Sequence, residues 1–123
     1  MAPAAGSAVT VLFVALGGGA GAVVRYLAGR YIRSYRSVPV ATLTVNVFGC
    51  ALLGALSGAA ALSPDLFALL GSGFCGGLTT YSTFAVEAVG LTRIRRPLTG
   101  IGYVVVSVVA GLAAAWGGYI LTA

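Results

Sequence analysis

The sequence predicts an all-α membrane protein with one domain and four transmembrane helices. Its 123 residues are 59% hydrophobic and 7% charged, with a mean hydropathy of +1.05, whereas soluble domains carry about 25% charged residues. A spanning helix needs roughly 20 mostly apolar residues, and the windows that satisfy this are residues 8–29, 38–62, 66–91 and 98–121. Since the bilayer core satisfies no backbone polar group, these segments are expected to be helices.

The first window could also be a secretory signal peptide, because its apolar run begins near the N-terminus. No positive charge precedes Val9, however, and the run continues to Ala28 with arginines after it, which favours a transmembrane helix. Small residues spaced four apart, such as Gly17 and Gly21, predict close contact between helices.

The basic residues predict the orientation. The formal net charge is +5 and all seven basic residues are arginines. One group lies at the end of the first window and in the loop after it, and the other lies in the loop after the third window. They are Arg25, Arg30, Arg33 and Arg36 in the first group, and Arg93, Arg95 and Arg96 in the second. These two loops face the same side in a four-helix chain, so the positive-inside rule predicts arginine loops in the cytoplasm and both termini outside. As anchors for topology and lipid headgroups, they give no indication of nucleic-acid binding.

Three helices carry sparse polar groups. Thr42 and Asn46 are four residues apart and share one face of the second helix, as do Tyr103 and Ser107 in the fourth. An amide such as that of Asn46, deep in an apolar helix, either bonds to another helix or lines a wet path. Arg25, near the membrane boundary, either snorkels to the interface, caps a carbonyl or lines a vestibule.

The most unusual stretch is the run GFCGGLTTYSTF at residues 73–84, in the middle of the third window. It holds three glycines, four hydroxyl residues and three aromatics where lipid-facing helix needs none of them. If the helix breaks near its middle, at Gly76 and Gly77, released carbonyls can coordinate a cation. The alternative is a kink whose backbone groups are satisfied by the threonines and serine.

Side-chain chemistry excludes several functions. The chain has no histidine, no intramembrane lysine, no acid pair and no nucleophile beside a base, so it is not expected to be an enzyme. Cys50 and Cys75 both fall inside spans and are expected to be free thiols. Hydroxyls and amides are neutral donors that can replace part of the hydration shell of a small anion. The ring edges of Tyr81 and Phe84 carry the positive part of the aromatic quadrupole and can also face an anion.

These motifs resemble the fluoride channel family called Fluc or CrcB. The residues that carry the resemblance are GGAGA at 18–22 with Arg25 and Tyr26, TLTVNVFG at 42–49, and the run at 73–84. The resemblance implies a four-helix subunit of an antiparallel dimer with two fluoride pores, through which cytoplasmic fluoride leaves the cell passively and its toxicity falls. It also implies a structural sodium ion at the dimer centre.

The resemblance assigns roles to individual residues. Asn46 and Phe84 match the pore asparagine and second pore phenylalanine, and Arg25 matches the vestibule arginine. The implied polar pore wall consists of Thr42, Thr83, Tyr103 and Ser107, with Glu87 as the acid after the aromatics. The backbone carbonyls of Gly76 and Thr79 would bind sodium.

Two departures from the family pattern suggest a paired system. Tyr81 stands where the family usually has its first pore phenylalanine, and the loop arginines all fall on one side. We therefore hypothesise two homologous subunits of fixed, opposite orientation, with the homodimer as the alternative. Other candidate functions are a small multidrug exporter, which would need an acid in its first helix, and a non-transporting assembly subunit.

Overall fold

The computed structural model describes residues 4–35, 38–59, 61–93 and 97–123. Regular structure in these segments is helical apart from one isolated bridge between Tyr35 and Val38. Helix α1 spans Ala4–Tyr31, α2 spans Val40–Gly58, and α5 spans Pro97–Thr122. The third span consists of α3, which covers residues 64–78, and α4, which covers Tyr81–Arg93. The predicted four-helix membrane fold with a break in the third helix is thereby confirmed.

Among the described residues, three helices are long and apolar enough to cross a membrane. They are Ala8–Tyr31 within α1, Val40–Gly58 and Pro97–Thr122. The break divides the third span into two shorter helices. Helix α2 ends at Gly58, before the predicted position 62, because Ala59 adopts an extended conformation with ψ of 90°. Arg36, Arg95 and Arg96 lie outside the described residues, so the predicted orientation stays a prediction.

The beginning of α3 follows ordinary helix-start chemistry. The Ser63 hydroxyl accepts a hydrogen bond from the Leu66 N–H at 3.2 Å, and Pro64 stands in the first turn. Proline is tolerated there because its missing N–H has no intrahelical partner in any case. After Pro64–Phe67 the chain continues as a π-helix over Ala68–Cys75 and returns to α-helix over Gly76–Leu78.

Helices α1 and α3 contact each other through glycine. A Cβ added at Gly17 would collide with the carbonyl oxygen of Leu69, and one at Gly77 with that of Gly18. The same holds for Gly21, where a Cβ would overlap the backbone of α3. Small residues allow this close approach of helix backbones in membranes, so the predicted contact of Gly17 and Gly21 is confirmed.

Helices α2 and α5 form a second close pair. A Cβ at Gly54 would collide with the Ala115 carbonyl, and one at Gly118 with that of Ala51. The Thr122 hydroxyl at the end of α5 donates to the Ala55 carbonyl at 2.6 Å, which joins the ends of the two helices. The bundle is therefore built from two tightly packed pairs, α1 with α3 and α2 with α5, and α4 packs on α5.

Adjacent glycines of α5 provide a matched test of this packing. We expect Gly118→Ala to destabilise the protein by about 1–3 kcal/mol, the usual cost of overpacking, because the new methyl meets the backbone of α2. Gly117→Ala should be tolerated, since a Cβ there has no neighbour within 4 Å among the described residues. Thermal unfolding of both variants in detergent measures the difference. Equal stability of the two variants would contradict the described packing.

Candidate functional site

The third span is interrupted at Thr79 and Thr80, between α3 and α4. Thr79 is extended, with φ of −79° and ψ of 155°. Its N–H and its hydroxyl both donate to the Cys75 carbonyl, at 3.0 and 2.8 Å. Two hydrogen bonds from one residue thus close the last turn of α3, and the chain leaves the helix immediately afterwards.

Asn46 of α2 binds the backbone of the break from the side. The Thr80 N–H donates to Asn46 Oδ1 at 2.9 Å, and Asn46 Nδ2 donates to the Thr80 carbonyl at 3.3 Å. A primary amide has one acceptor and two donors and can replace both partners of a peptide group. Asn46 therefore makes an interhelical hydrogen bond, one of the two interpretations of its sequence position, and its partner is backbone.

Thr80 begins α4. Its Oγ1 accepts a hydrogen bond from the Thr83 N–H at 3.2 Å and lies 3.5 Å from the Ser82 hydroxyl. A threonine side chain that bonds to the third residue of the following helix is an N-cap. The residue that caps α4 is thus the same residue whose backbone is bound by Asn46.

These bonds release two carbonyls. In a continuous helix the Thr80 N–H would bond to the Gly76 carbonyl and the Thr83 N–H to the Thr79 carbonyl. Both donors are directed elsewhere, to Asn46 Oδ1 and to Thr80 Oγ1. Carbonyls freed by a broken membrane helix are ligands of the kind that bind Na⁺. The described residues contain no group of three His, Cys, Asp or Glu side chains that could hold a metal.

One cavity, which we call the arginine cavity, lies on the α1 side of the break. It has a volume of about 410 Å³ and lies beside α1, α2 and α4. Its polar lining includes Arg25, Ser34, Thr42, Thr80, Thr83 and Glu87. The cavity thus contains a fixed cation and a carboxylate as well as three threonine hydroxyls.

A second cavity, the aromatic groove, is bordered by both Asn46 and Thr80. Its volume is about 520 Å³ and it is mostly apolar. Lining residues include Asn46, Gly76, Thr79, Thr80, Tyr81, Phe84 and Ser107. Thr80 lines both cavities. Thr42 lines the arginine cavity, and Asn46, one helical turn later, lines the aromatic groove. The break therefore separates two openings that share one residue.

Aromatic rings form a short row at the groove. The Phe84 ring lies 5.2 Å from that of Tyr103 and 6.4 Å from that of Tyr81, measured between centroids, with tilted geometry in both pairs. Tyr103 is 3% exposed, whereas Tyr81 is 83% exposed. Tilted rings present edges rather than faces to part of their surroundings.

Four buried polar atoms have no hydrogen-bond partner among the described residues. They are Arg25 Nε, Glu87 Oε1, Tyr103 OH and Ser107 Oγ. The Tyr103 hydroxyl is near the side chains of Thr42 and Glu87 but outside hydrogen-bonding geometry. Each unsatisfied polar group costs about 1–3 kcal/mol. Their grouping on both sides of the break suits a site that exchanges water or a polar ligand.

The predicted site residues therefore fall into two groups and one exception. Arg25, Thr42 and Thr83 line the arginine cavity, and Asn46, Tyr81, Phe84, Ser107, Gly76 and Thr79 line the aromatic groove. Tyr103 lines neither and contacts the groove through Phe84. Sequence reasoning did not assign a role to Thr80, although threonine directly before a helix is a common N-cap residue. Cys50 and Cys75 are free, as expected.

Comparison with known proteins identifies the family. The family model described as "CrcB-like protein, Camphor Resistance (CrcB)" matches residues 12–119. Fluoride-specific ion channel FluC 2 of Rhodococcus jostii is 71% identical over 113 residues, which cover 92% of this chain and 98% of the relative. Fluoride-specific ion channel FluC of Flavobacterium psychrophilum is 40% identical over 118 residues, with 91% and 95% covered.

A third relative supports the same assignment. Fluoride-specific ion channel FluC 2 of Mycobacterium tuberculosis is 47% identical over 104 residues, which cover 83% of this chain and 82% of the relative. These relatives are named as channels, not as enzymes. The chain is therefore a multi-pass membrane protein that belongs to the CrcB/FluC family, as the resemblance of its motifs indicated.

Proposed function

We propose that this chain is a subunit of a fluoride-specific channel that lets cytoplasmic fluoride leave the cell down its gradient. The observation that carries the proposal is the pair of cavities that meet at Thr80, with unpartnered buried polar atoms in or next to them. Neutral donors in such a path can replace part of an anion's hydration shell without trapping the ion. The family relationship supplies the identity of the anion.

The proposed path begins at the arginine cavity. Arg25 attracts the anion, and the hydroxyls of Thr42 and Thr83 replace part of its water shell. Beyond the Asn46–Thr80 bond, the ion continues along the aromatic groove, where the ring edges of Tyr81 and Phe84 and the Ser107 hydroxyl face it. Tyr103 supports this wall through the Phe84 ring, 5.2 Å away.

The aromatic groove is the surface that we propose for a second subunit. It is open in the single chain, and Tyr81 and Gly76 at its edge are exposed. An antiparallel dimer would close this groove and bring the two copies of the break together. The dimer would then contain two pores, one along each groove.

A sodium ion fits the proposed dimer centre. The carbonyls of Gly76 and Thr79 have lost their helical donors to Asn46 and Thr80, and both residues line the groove. Two such carbonyls from each subunit would surround one cation, whose charge would hold the two broken helices together. Na⁺ accepts neutral carbonyl ligands of this type.

The identity of the second subunit follows from charge. Arg30 and Arg93 lie in the last turns of α1 and α4, Arg33 lies just after α1, and Arg25 lies in the second-last turn of α1. The proposed orientation puts these arginines at the cytoplasmic side with both termini outside. A chain with this bias inserts in one orientation. We therefore propose a homologous partner of opposite orientation, with a homodimer as the alternative.

Reconstitution tests both parts of the proposal. Liposomes that contain the conducting assembly are loaded with fluoride, and a fluoride electrode measures its release. The assembly should release fluoride, whereas matched liposomes loaded with chloride should retain chloride. We expect fluoride release when the chain is combined with a homologue of opposite charge bias, and little release from this chain alone. Robust release by the chain alone would contradict the paired arrangement, and absence of release from every combination would contradict the channel.

A further inference from the structure

We infer that the Thr80 hydroxyl is a positioning group that couples the cation ligands to the anion path. By capping α4 it keeps the Thr79 carbonyl available for a cation, and it fixes the first turn of α4, which lines both cavities. The inference rests on the proposed function, because it concerns the same site. The Thr80 side chain would act by positioning the backbone of the site, rather than by contact with the cation or the anion.

The polar atoms of Thr80 divide into two sets. Its N–H and carbonyl bond to Asn46 at 2.9 and 3.3 Å, and any residue other than proline could make these bonds. Its hydroxyl accepts from the Thr83 N–H at 3.2 Å, and this bond requires an oxygen on the side chain. Thr80 is only 8% exposed, so solvent is a poor substitute for that oxygen.

Loss of the hydroxyl would change the cation ligands directly. Without Oγ1, the nearest acceptor in helical register for the Thr83 N–H is the Thr79 carbonyl. An N–H bonded there would extend α4 backward by one residue and occupy a lone pair that a cation needs. The Thr83 N–H and a cation would thus compete for one carbonyl.

The same loss would disturb the anion path. Thr83 lines the arginine cavity, Phe84 lines the aromatic groove, and both lie in the first turn of α4. A shift of the first turn of α4 would therefore displace residues that line both cavities. Sodium occupancy and fluoride conduction are coupled through a single N-cap.

The test compares Thr80→Val with Thr80→Ser. Valine keeps the shape but lacks the oxygen, whereas serine retains it. Thr99→Val is the matched control, because Thr99 lies near the start of α5 and lines neither cavity. Fluoride efflux is measured for the conducting assembly while Na⁺ is varied against a large organic cation.

We expect T80V to raise the Na⁺ concentration that gives half-maximal efflux by about 5- to 30-fold, the range expected for loss of one N-cap hydrogen bond. T80S and T99V should stay within about twofold of the unchanged chain, since serine is as good a cap as threonine. A role confined to folding would lower the amount of protein but leave the sodium dependence unchanged.

Hydrogen exchange of the Thr83 amide gives a readout that does not depend on flux. It should be faster in T80V and return to the original rate in T80S. If T80V does not fold, Thr80→Ala removes the oxygen with less bulk and carries the same expectations. Unchanged sodium dependence and unchanged exchange in either variant would overturn the inference. Absence of fluoride efflux from the unchanged assembly would instead refute the proposed function, and exchange alone would then decide the role of Thr80.

Discussion

Asn46→Leu is expected to abolish fluoride efflux and to destabilise the protein. The leucine cannot bond to the Thr80 N–H or carbonyl, which Asn46 satisfies at 2.9 and 3.3 Å. Each unsatisfied buried group costs about 1–3 kcal/mol. Two such groups cost about 2–6 kcal/mol, which is a sizeable part of the roughly 5–15 kcal/mol by which a typical protein is stable. Efflux from liposomes and thermal unfolding in detergent measure the two effects.

A polar residue on the same helix serves as the control for Asn46. Within the part of the chain that the structure describes, the Ser57 hydroxyl donates to the Leu53 carbonyl of its own helix at 2.9 Å, and Ser57 is exposed. Ser57→Ala should therefore leave efflux and stability nearly unchanged. If N46L were as stable as S57A and still conducted, the amide would not be what holds the break, and the described site would be wrong.

Phe84→Leu is expected to reduce fluoride efflux while the protein stays folded. Leucine keeps apolar contact with the groove but removes the ring edge, for which we take the value of about 0.5–1.5 kcal/mol that ring edges contribute in aromatic pairs. Since about 1.4 kcal/mol corresponds to tenfold, we expect efflux to fall by roughly 2- to 10-fold. The initial rate of fluoride release, normalised to the amount of reconstituted protein, gives this number.

Phe13→Leu is the matched control, because Phe13 lies on α1 and lines neither cavity. It loses a ring of the same size in the same membrane environment. The comparison separates a pore wall from packing: a non-transporting assembly subunit would lose stability in F84L and show no specific effect on fluoride. Equal rates for F84L and F13L would exclude the role proposed for Phe84.

Hydropathy was sufficient to predict the membrane spans, and residue size was sufficient to predict their contacts. Gly17 and Gly21 lie at backbone contacts where a Cβ would collide with a neighbouring helix. Such contacts are legible in a sequence because small residues four apart have few other uses in an apolar helix. The structure adds which helices pair, and this depends on three-dimensional packing.

The position of the break was predicted only approximately. Gly76 and Gly77 stay helical, in Gly76–Leu78, and the chain leaves the helix two residues later. Gly77 is required for the close approach to Gly18, so its lack of a side chain serves packing. The break itself is made by Asn46 and the hydroxyls of Thr79 and Thr80, a cooperation between distant residues that no local pattern displays.

The π-helix was not predicted at all. Residues Ala68–Cys75 are apolar, small or both, and a segment of this kind has no alternation from which a shifted helical period could be read. The unpartnered buried atoms could not be predicted either, because burial of Tyr103 and Ser107 depends on the position of their neighbours. The sequence was sufficient to predict the polar faces of the second and fourth helices, but not the two cavities.

The division of the third span has a consequence for biogenesis. Helix α4 has 13 residues and α3 covers residues 64–78, so each is shorter than the roughly 20 residues that cross a bilayer. Exposed backbone at the break is tolerated at membrane depth only when protein covers it, and here Asn46 does so from α2. Stable integration of the third span is therefore expected to depend on α2 already lying beside it, because Asn46 supplies the partners of the Thr80 backbone.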